Sequence, residues 1–92
     1  MQVTLRDAID YFLDNRDNLE VFEIRQIYRP DDPPDYAVRV LQTDYYLVVE
    51  KDGKGILLAK LSPDLVEFRP VADPEPIEFE LARRIREANL HI

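Results

Sequence analysis

The 92-residue chain contains no cysteine, which removes disulfides, thiolate metal sites and cysteine nucleophiles together. Histidine occurs once, at His91, serine once, at Ser62, and threonine twice, at Thr4 and Thr43. A hydroxyl nucleophile needs a base within hydrogen-bond reach, and this short inventory supplies no such set. Ser62 stands before Pro63 and reads as a turn residue. Glycine is confined to Gly53 and Gly55 in "DGKG", too few and too close together for a phosphate-cradling loop. No apolar run approaches the roughly 18 residues of a membrane span. The start "MQVTLRDAIDYF" carries acids early and lacks a basic segment followed by an apolar block. The expected compartment is therefore the cytoplasm.

Apolar residues make up 46% and charged residues 34% of the chain, the balance of a folded domain rather than a disordered one. The length fits one domain spanning residues 1–92. Nineteen acids against twelve bases leave a net charge of -7. A field of that sign repels nucleic acid phosphates and anionic lipid, so neither direct nucleic acid binding nor membrane binding is expected. It attracts basic proteins, although acids also serve small proteins simply as solubilisers.

Leu5, Ala8, Ile9, Phe12 and Leu13 recur with the period of an amphipathic helix. Thr4 and Asp7 form a capping-box-like start. The opposite face carries Asp7, Asp10, Asp14 and Asp17 at spacings of three and four, one acidic ridge along the helix. Any soluble helix turns a polar face to water; small acidic inhibitors that imitate DNA use such a face to bind.

Beyond Asn18 the period becomes two. Phe22, Ile24 and Tyr28 alternate with Glu23, Arg25 and Arg29, and Tyr36, Val38 and Val40 alternate with Ala37, Arg39 and Thr43, as in half-buried strands. Between them runs "RPDDPPDY". Its Asp31, Asp32 and Asp35 are oxygen donors suited to a hard cation, yet they lack the alternate spacing, central glycine and late glutamate of a calcium loop. The prolines stiffen the connection and spread the carboxylates apart. No metal or other cofactor is expected. Tyr28, Arg29, Tyr36 and Arg39 bracket the acids and are residue types favoured at interfaces, although strand tyrosines also commonly pack inward.

"YYLVVEKDGKGILLAKL" reads as a hairpin whose glycines supply positive φ angles. Its arms, Tyr45 to Val49 and Ile56 to Leu61, are apolar on both faces and call for cover on both sides. "LVEFRPV" offers a last strand with Val66 and Phe68 inward, and Thr43 with Asp44 marks either a turn or a bulge. A closing helix follows, with Asp73 as cap, Pro76 in its first turn and Ile77, Leu81, Ile85 and Ala88 on one stripe. Its early acids and later arginines suit the helix dipole and allow a Glu80–Arg84 pair.

The expected fold is α+β: an antiparallel β meander of four to five strands with an N-terminal and a C-terminal amphipathic helix. The hairpin's double cover implies either helices on opposite faces or a second subunit. Phe79 and Leu90 lie off the main stripe of the last helix and suggest a dimer contact. The functional expectation is a small non-catalytic interaction or regulatory domain, homodimeric, binding a protein, with a basic one favoured by the net charge. Its partner-binding residues are Asp7, Asp10, Asp14, Asp17, Tyr28, Arg29, Asp31, Asp32, Asp35, Tyr36 and Arg39. The alternative is an acidic inhibitor of immunity, antitoxin or anti-restriction type. A small ligand-binding domain or enzyme using carboxylates ranks behind both.

Overall fold

The computed structural model describes residues 2–51, 53 and 55–89. The first helix, α1 (Leu5–Asp14), begins with a reciprocal cap. Thr4 Oγ1 accepts the Asp7 amide at 3.1 Å, and Asp7 Oδ2 accepts the Thr4 amide at 3.1 Å. Two otherwise orphaned donors are thereby satisfied, worth about 1 kcal/mol of helix stability. Ala8, Ile9 and Phe12 form its buried face, and the helix ends at Asn15, whose amide donates to the Phe12 carbonyl.

Five strands follow: β1 (Val21–Gln26), β2 (Asp35–Arg39), β3 (Tyr45–Val49), β4 (Ile56–Lys60) and β5 (Val66–Pro70); α2 (Glu75–Glu87) closes the chain. The spatial order is β4-β3-β2-β1-β5 and every neighbouring pair is antiparallel. Thr43 and Asp44 lie in a turn, not a bulge. That turn is built without glycine: Leu41 and Gln42 both have positive φ, 54° and 53°. Thr43 holds it, its amide and hydroxyl both donating to the Val40 carbonyl and its Oγ1 accepting the Tyr45 amide. Two left-handed residues match the twist of a tight hairpin, a geometry that usually recruits Asn-Gly. Gln42→Gly is expected to stabilise the fold by about 0.5–1 kcal/mol, because relief of left-handed strain outweighs the added freedom of the unfolded chain. Urea denaturation measures it, and a loss of stability would mean that the Gln42 side chain contributes more than the strain costs.

The glycines behave the other way. The β3–β4 connection spans Glu50 to Gly55, and neither Gly53 nor Gly55 has a positive φ. The expectation of a glycine-dependent tight turn is thus corrected: six residues give the loop enough length to close without left-handed geometry at either glycine.

β4 and β5 occupy opposite ends of the strand order but are joined by only Leu61 to Leu65. The six Cα steps from Lys60 to Val66 reach at most about 21 Å. In a flat sheet four strand spacings separate β4 from β5, about 19 Å. The register also carries Lys60 level with Asp73, past the far end of β5, so the flat distance would be about 30 Å. The sheet therefore curls. Ring centroids of Tyr46 on β3 and Phe68 on β5 approach to 5.2 Å although β2 and β1 stand between their strands. Phe22 packs edge-on against both.

This concave face encloses Ile24, Ala37, Tyr46 and Val48, with Phe22, Ala59, Leu61 and Phe68 packed around them. The convex face holds Val21, Val38, Val40, Leu47 and Val49, covered by Ala8, Ile9 and Phe12 of α1 and Ile77, Leu81 and Ile85 of α2. Both helices share one face. The central hairpin is apolar on both sides because helices cover one and the curled sheet covers the other, so its pattern by itself requires neither opposed helices nor a second subunit. On α2 the stripe ends earlier than its periodicity suggests: Ala88 is exposed, and Arg84 is buried in its place.

Candidate functional site

The proline loop divides into an outward half and an anchored half. Tyr28 is 72% exposed, and Arg29, Asp31 and Asp32 are exposed beside it. The Asp32 amide donates to the Arg29 carbonyl at 3.2 Å, and Arg25 Nε donates to the Asp32 carbonyl at 3.3 Å. Asp35 is employed elsewhere, since its Oδ1 accepts the Lys51 amide at 3.0 Å and ties β2 to the β3–β4 loop. Tyr36 is half-buried against the convex core. Arg39 pairs with Glu20 at 3.6 Å and donates to the Thr43 carbonyl. Of the four bracketing residues, Tyr28 and Arg29 face solvent while Tyr36 and Arg39 serve the fold. The three aspartates do not converge: among the described residues no group of three or more His, Asp or Glu is placed to hold a metal ion.

The ridge on α1 is exposed at Asp7, Asp10 and Asp14. Asp7 is occupied by the helix cap, and Asp17 lies past the helix end in the turn to β1. There Asp17 meets residues that the ridge pattern did not include. Together with Asp73, Glu75 and Glu78 it lines an open groove of about 710 Å³ at the junction of the two helices, with Arg16 and Phe79 on its walls. Phe79 is 63% exposed. Burial is the main cause that raises the Glu78 carboxyl above the usual range; Arg16 opposes it, and Asp17 and Glu75 add to it. A raised carboxyl binds its proton more tightly in the folded state, so its contribution to stability is present below the unfolded pKa and is lost as pH rises through the folded one. The acids at the start of α2 are visible in sequence, but reading them only as partners of the helix dipole hid their position beside Asp17.

A second cleft, about 540 Å³, lies between α2 and the β1–β2–β5 side of the sheet. Its floor is Val49, Val71 and Ile77; Tyr36, Glu23, Lys51, Glu80 and Arg84 stand around it. Arg84 is only 6% exposed. Its Nε donates to Glu80 Oε1 at 2.8 Å, while its terminal nitrogens donate to the Gly55 carbonyl at 2.7 Å and the Glu50 carbonyl at 3.0 Å. The guanidinium therefore staples α2 to the β3–β4 loop. Glu80 is shared with Arg83, whose hydrogen bond, followed by that of Arg84, holds its carboxyl below the ordinary range. The expected Glu80–Arg84 pair is present, but the burial of Arg84 and its reach to two carbonyls were not evident from spacing.

Ser62 accepts the Asp64 amide through Oγ at 3.1 Å, a turn contact of the kind its sequence position implied. His91 and Leu90, the latter expected at a dimer contact, lie outside the described residues. No helix among the described residues is long and apolar enough to cross a membrane. No hydrogen bond or ion pair among the described residues joins the acidic ridge to the proline loop. Comparison with protein-family models, curated proteins and solved structures finds no match for the chain.

Proposed function

We propose that the protein is a small cytoplasmic, non-catalytic interaction domain that binds a basic protein through the acidic surface running from α1 to the start of α2, and that it is homodimeric. One observation carries the binding surface. Among the described residues six carboxylates are paired with arginine, in Arg25–Glu23, Arg29–Asp32, Arg39–Glu20, Arg69–Glu67, Arg83–Glu80 and Arg83–Glu87, while Asp31, Asp35, Asp44, Glu50 and Asp64 are unpaired but dispersed along the chain. Among the described residues Asp10, Asp14, Asp17, Glu75 and Glu78 have no such ion pair. Five unpaired carboxylates beside Arg16 leave the face net acidic, which steers a cationic partner and discourages nucleic acid and anionic lipid. Phe79 beside that face adds an apolar contact of the sort that anchors interfaces. Inhibition of a basic effector, in the manner of immunity, antitoxin or anti-restriction proteins, is one use this surface suits.

The test replaces Asp10 and Asp14 by asparagine together. Both side chains are exposed and neither takes part in the helix cap, so the melting temperature should stay within about 3 °C of the original, as surface substitutions do. Binding of a basic protein recovered from the native host should weaken at least about tenfold, the loss of two rim-to-core charge contacts. Unchanged affinity removes the ridge from the interface.

A further inference from the structure

The expected dimer contact at Phe79 and Leu90 has Phe79 beside the acidic groove and Leu90 outside the described residues, whereas the two sheet edges differ in a way that selects another surface. In the β1–β5 ladder the Val71 amide donates to the Val21 carbonyl, so alternation points the backbone of Pro70 outward from β5. Proline has no amide hydrogen there, and Glu67 and Arg69 are exposed on the same strand. These are the usual devices that stop an edge from pairing. On β4 the Leu61 amide donates to the Asp44 carbonyl at 2.9 Å. By the same alternation Ala59 and Leu57 bond to β3, and Ile56, Leu58 and Lys60 turn their amides and carbonyls outward. No hydrogen bond among the described residues uses those outward groups. The strand reads Ile-Leu-Leu-Ala before the exposed Lys60, which is its one protective charge, and Leu57 is 50% exposed.

We propose that this edge is the homodimer interface, with β4 of one protomer pairing antiparallel with β4 of its partner about a two-fold axis at Leu58. The edge is its own complement. Leu58 faces its counterpart and Ile56 faces Lys60 of the second copy, giving up to about six backbone hydrogen bonds from three outward-facing pairs. Electrostatics do not oppose this surface. Each copy carries -7, and all three lysines of the chain lie between positions 51 and 60, with no acid from Gly53 to Pro63. Two copies meeting here bring no carboxylate against a carboxylate, and the residual repulsion between whole copies is long-range and screened by salt. Self-association should therefore strengthen from low to moderate salt, the reverse of binding to a basic partner.

The inference rests on the homodimer reading, and the experiment separates the two. Sedimentation equilibrium of the full chain across concentration reports the oligomer. Amide hydrogen exchange by NMR at low and high concentration reports the edge. Lys60→Pro deletes one outward donor, and Ala59 before it is already in a strand, as proline requires; Lys60→Ala is the control. The expected result is a concentration-dependent dimer in which the Leu58 and Lys60 amides slow at least about tenfold relative to the monomer. Lys60→Pro should raise the dimer dissociation constant at least about tenfold while Lys60→Ala leaves it within about threefold, since the bond is made by the backbone. A dimer whose Leu58 and Lys60 amides exchange as fast as in the monomer overturns the edge and leaves the homodimer reading standing. A chain that stays monomeric at every concentration overturns both. Growth beyond the dimer overturns the two-fold pairing. Should Lys60→Pro fail to fold, the exchange measurement on the unaltered chain still decides.

Discussion

Phe12→Ala should cost about 3–5 kcal/mol, the range for deleting a fully buried aromatic side chain and leaving its cavity behind. Phe12 has no exposed surface and sits in the core cluster that joins both helices to β1, β2 and β3. Around it Ile9, Leu47, Leu81 and Val38 are themselves almost fully buried, so the site has little freedom to collapse inward. A domain of this kind has about 5–15 kcal/mol of total stability. The variant should therefore approach unfolding at physiological temperature, and urea denaturation monitored by circular dichroism measures the loss. Phe79→Ala is the internal comparison. The same residue type, 63% exposed, should change the stability of the monomer by no more than about 0.5 kcal/mol.

Arg84→Ala should cost about 3 kcal/mol, and for a different reason. Little of that belongs to the ion pair, because the Glu80 side chain is 33% exposed and solvent screens it. The larger part comes from the Glu50 and Gly55 carbonyls, which lose charged donors and are left facing the cavity vacated by a buried side chain. For a domain of this size that loss corresponds to a fall in melting temperature of roughly 12–24 °C. Arg84→Lys should recover less than about half of it, since a single ammonium cannot span Glu80, Gly55 and Glu50 as the planar fork does. Full recovery by lysine would show that charge rather than geometry matters at this position. The pH response should change as well. Bonds from Arg83 and then Arg84 lower the Glu80 carboxyl, so its contribution is present above the unfolded pKa and is lost as pH falls through the folded one. With Arg84 removed, that acid-side loss should shrink without vanishing, because Arg83 remains.

The parts of this fold that a local pattern encodes are the parts that the sequence predicts. Thr4 with Asp7, the stripe Ile77–Leu81–Ile85 and the alternation of Tyr36, Val38 and Val40 each express a period within a few residues, and each appears as expected. What escaped is set by distance or by strain. The Leu41–Gln42 turn uses left-handed angles that neither residue type favours, so nothing in the pair announces it. The curl of the sheet follows from the shortness of Leu61 to Leu65 only after β5 is known to pair with β1. Without that long-range pairing, the doubly apolar hairpin points as readily to a subunit interface as to the inside of a curled sheet. Arg84 stands on the buried face of α2, three residues after Leu81, but its charge argues against burial there, and only the positions of the Glu50 and Gly55 carbonyls explain it. The candidate site divides the same way. The ridge at Asp10 and Asp14 is legible as a helical repeat, whereas its continuation through Asp17 to Asp73, Glu75 and Glu78 depends on where two helices distant in sequence come together.

The proposed binding of a basic protein through the acidic surface is most directly tested by titrating the unmodified protein with a basic protein recovered from the native host over a series of salt concentrations. Binding through Asp10, Asp14 and the groove at the start of α2 predicts that affinity falls steeply as salt rises from low to moderate concentration, by about tenfold or more, because screening acts on exposed charges. An affinity that is flat or that rises with salt would contradict binding through this face.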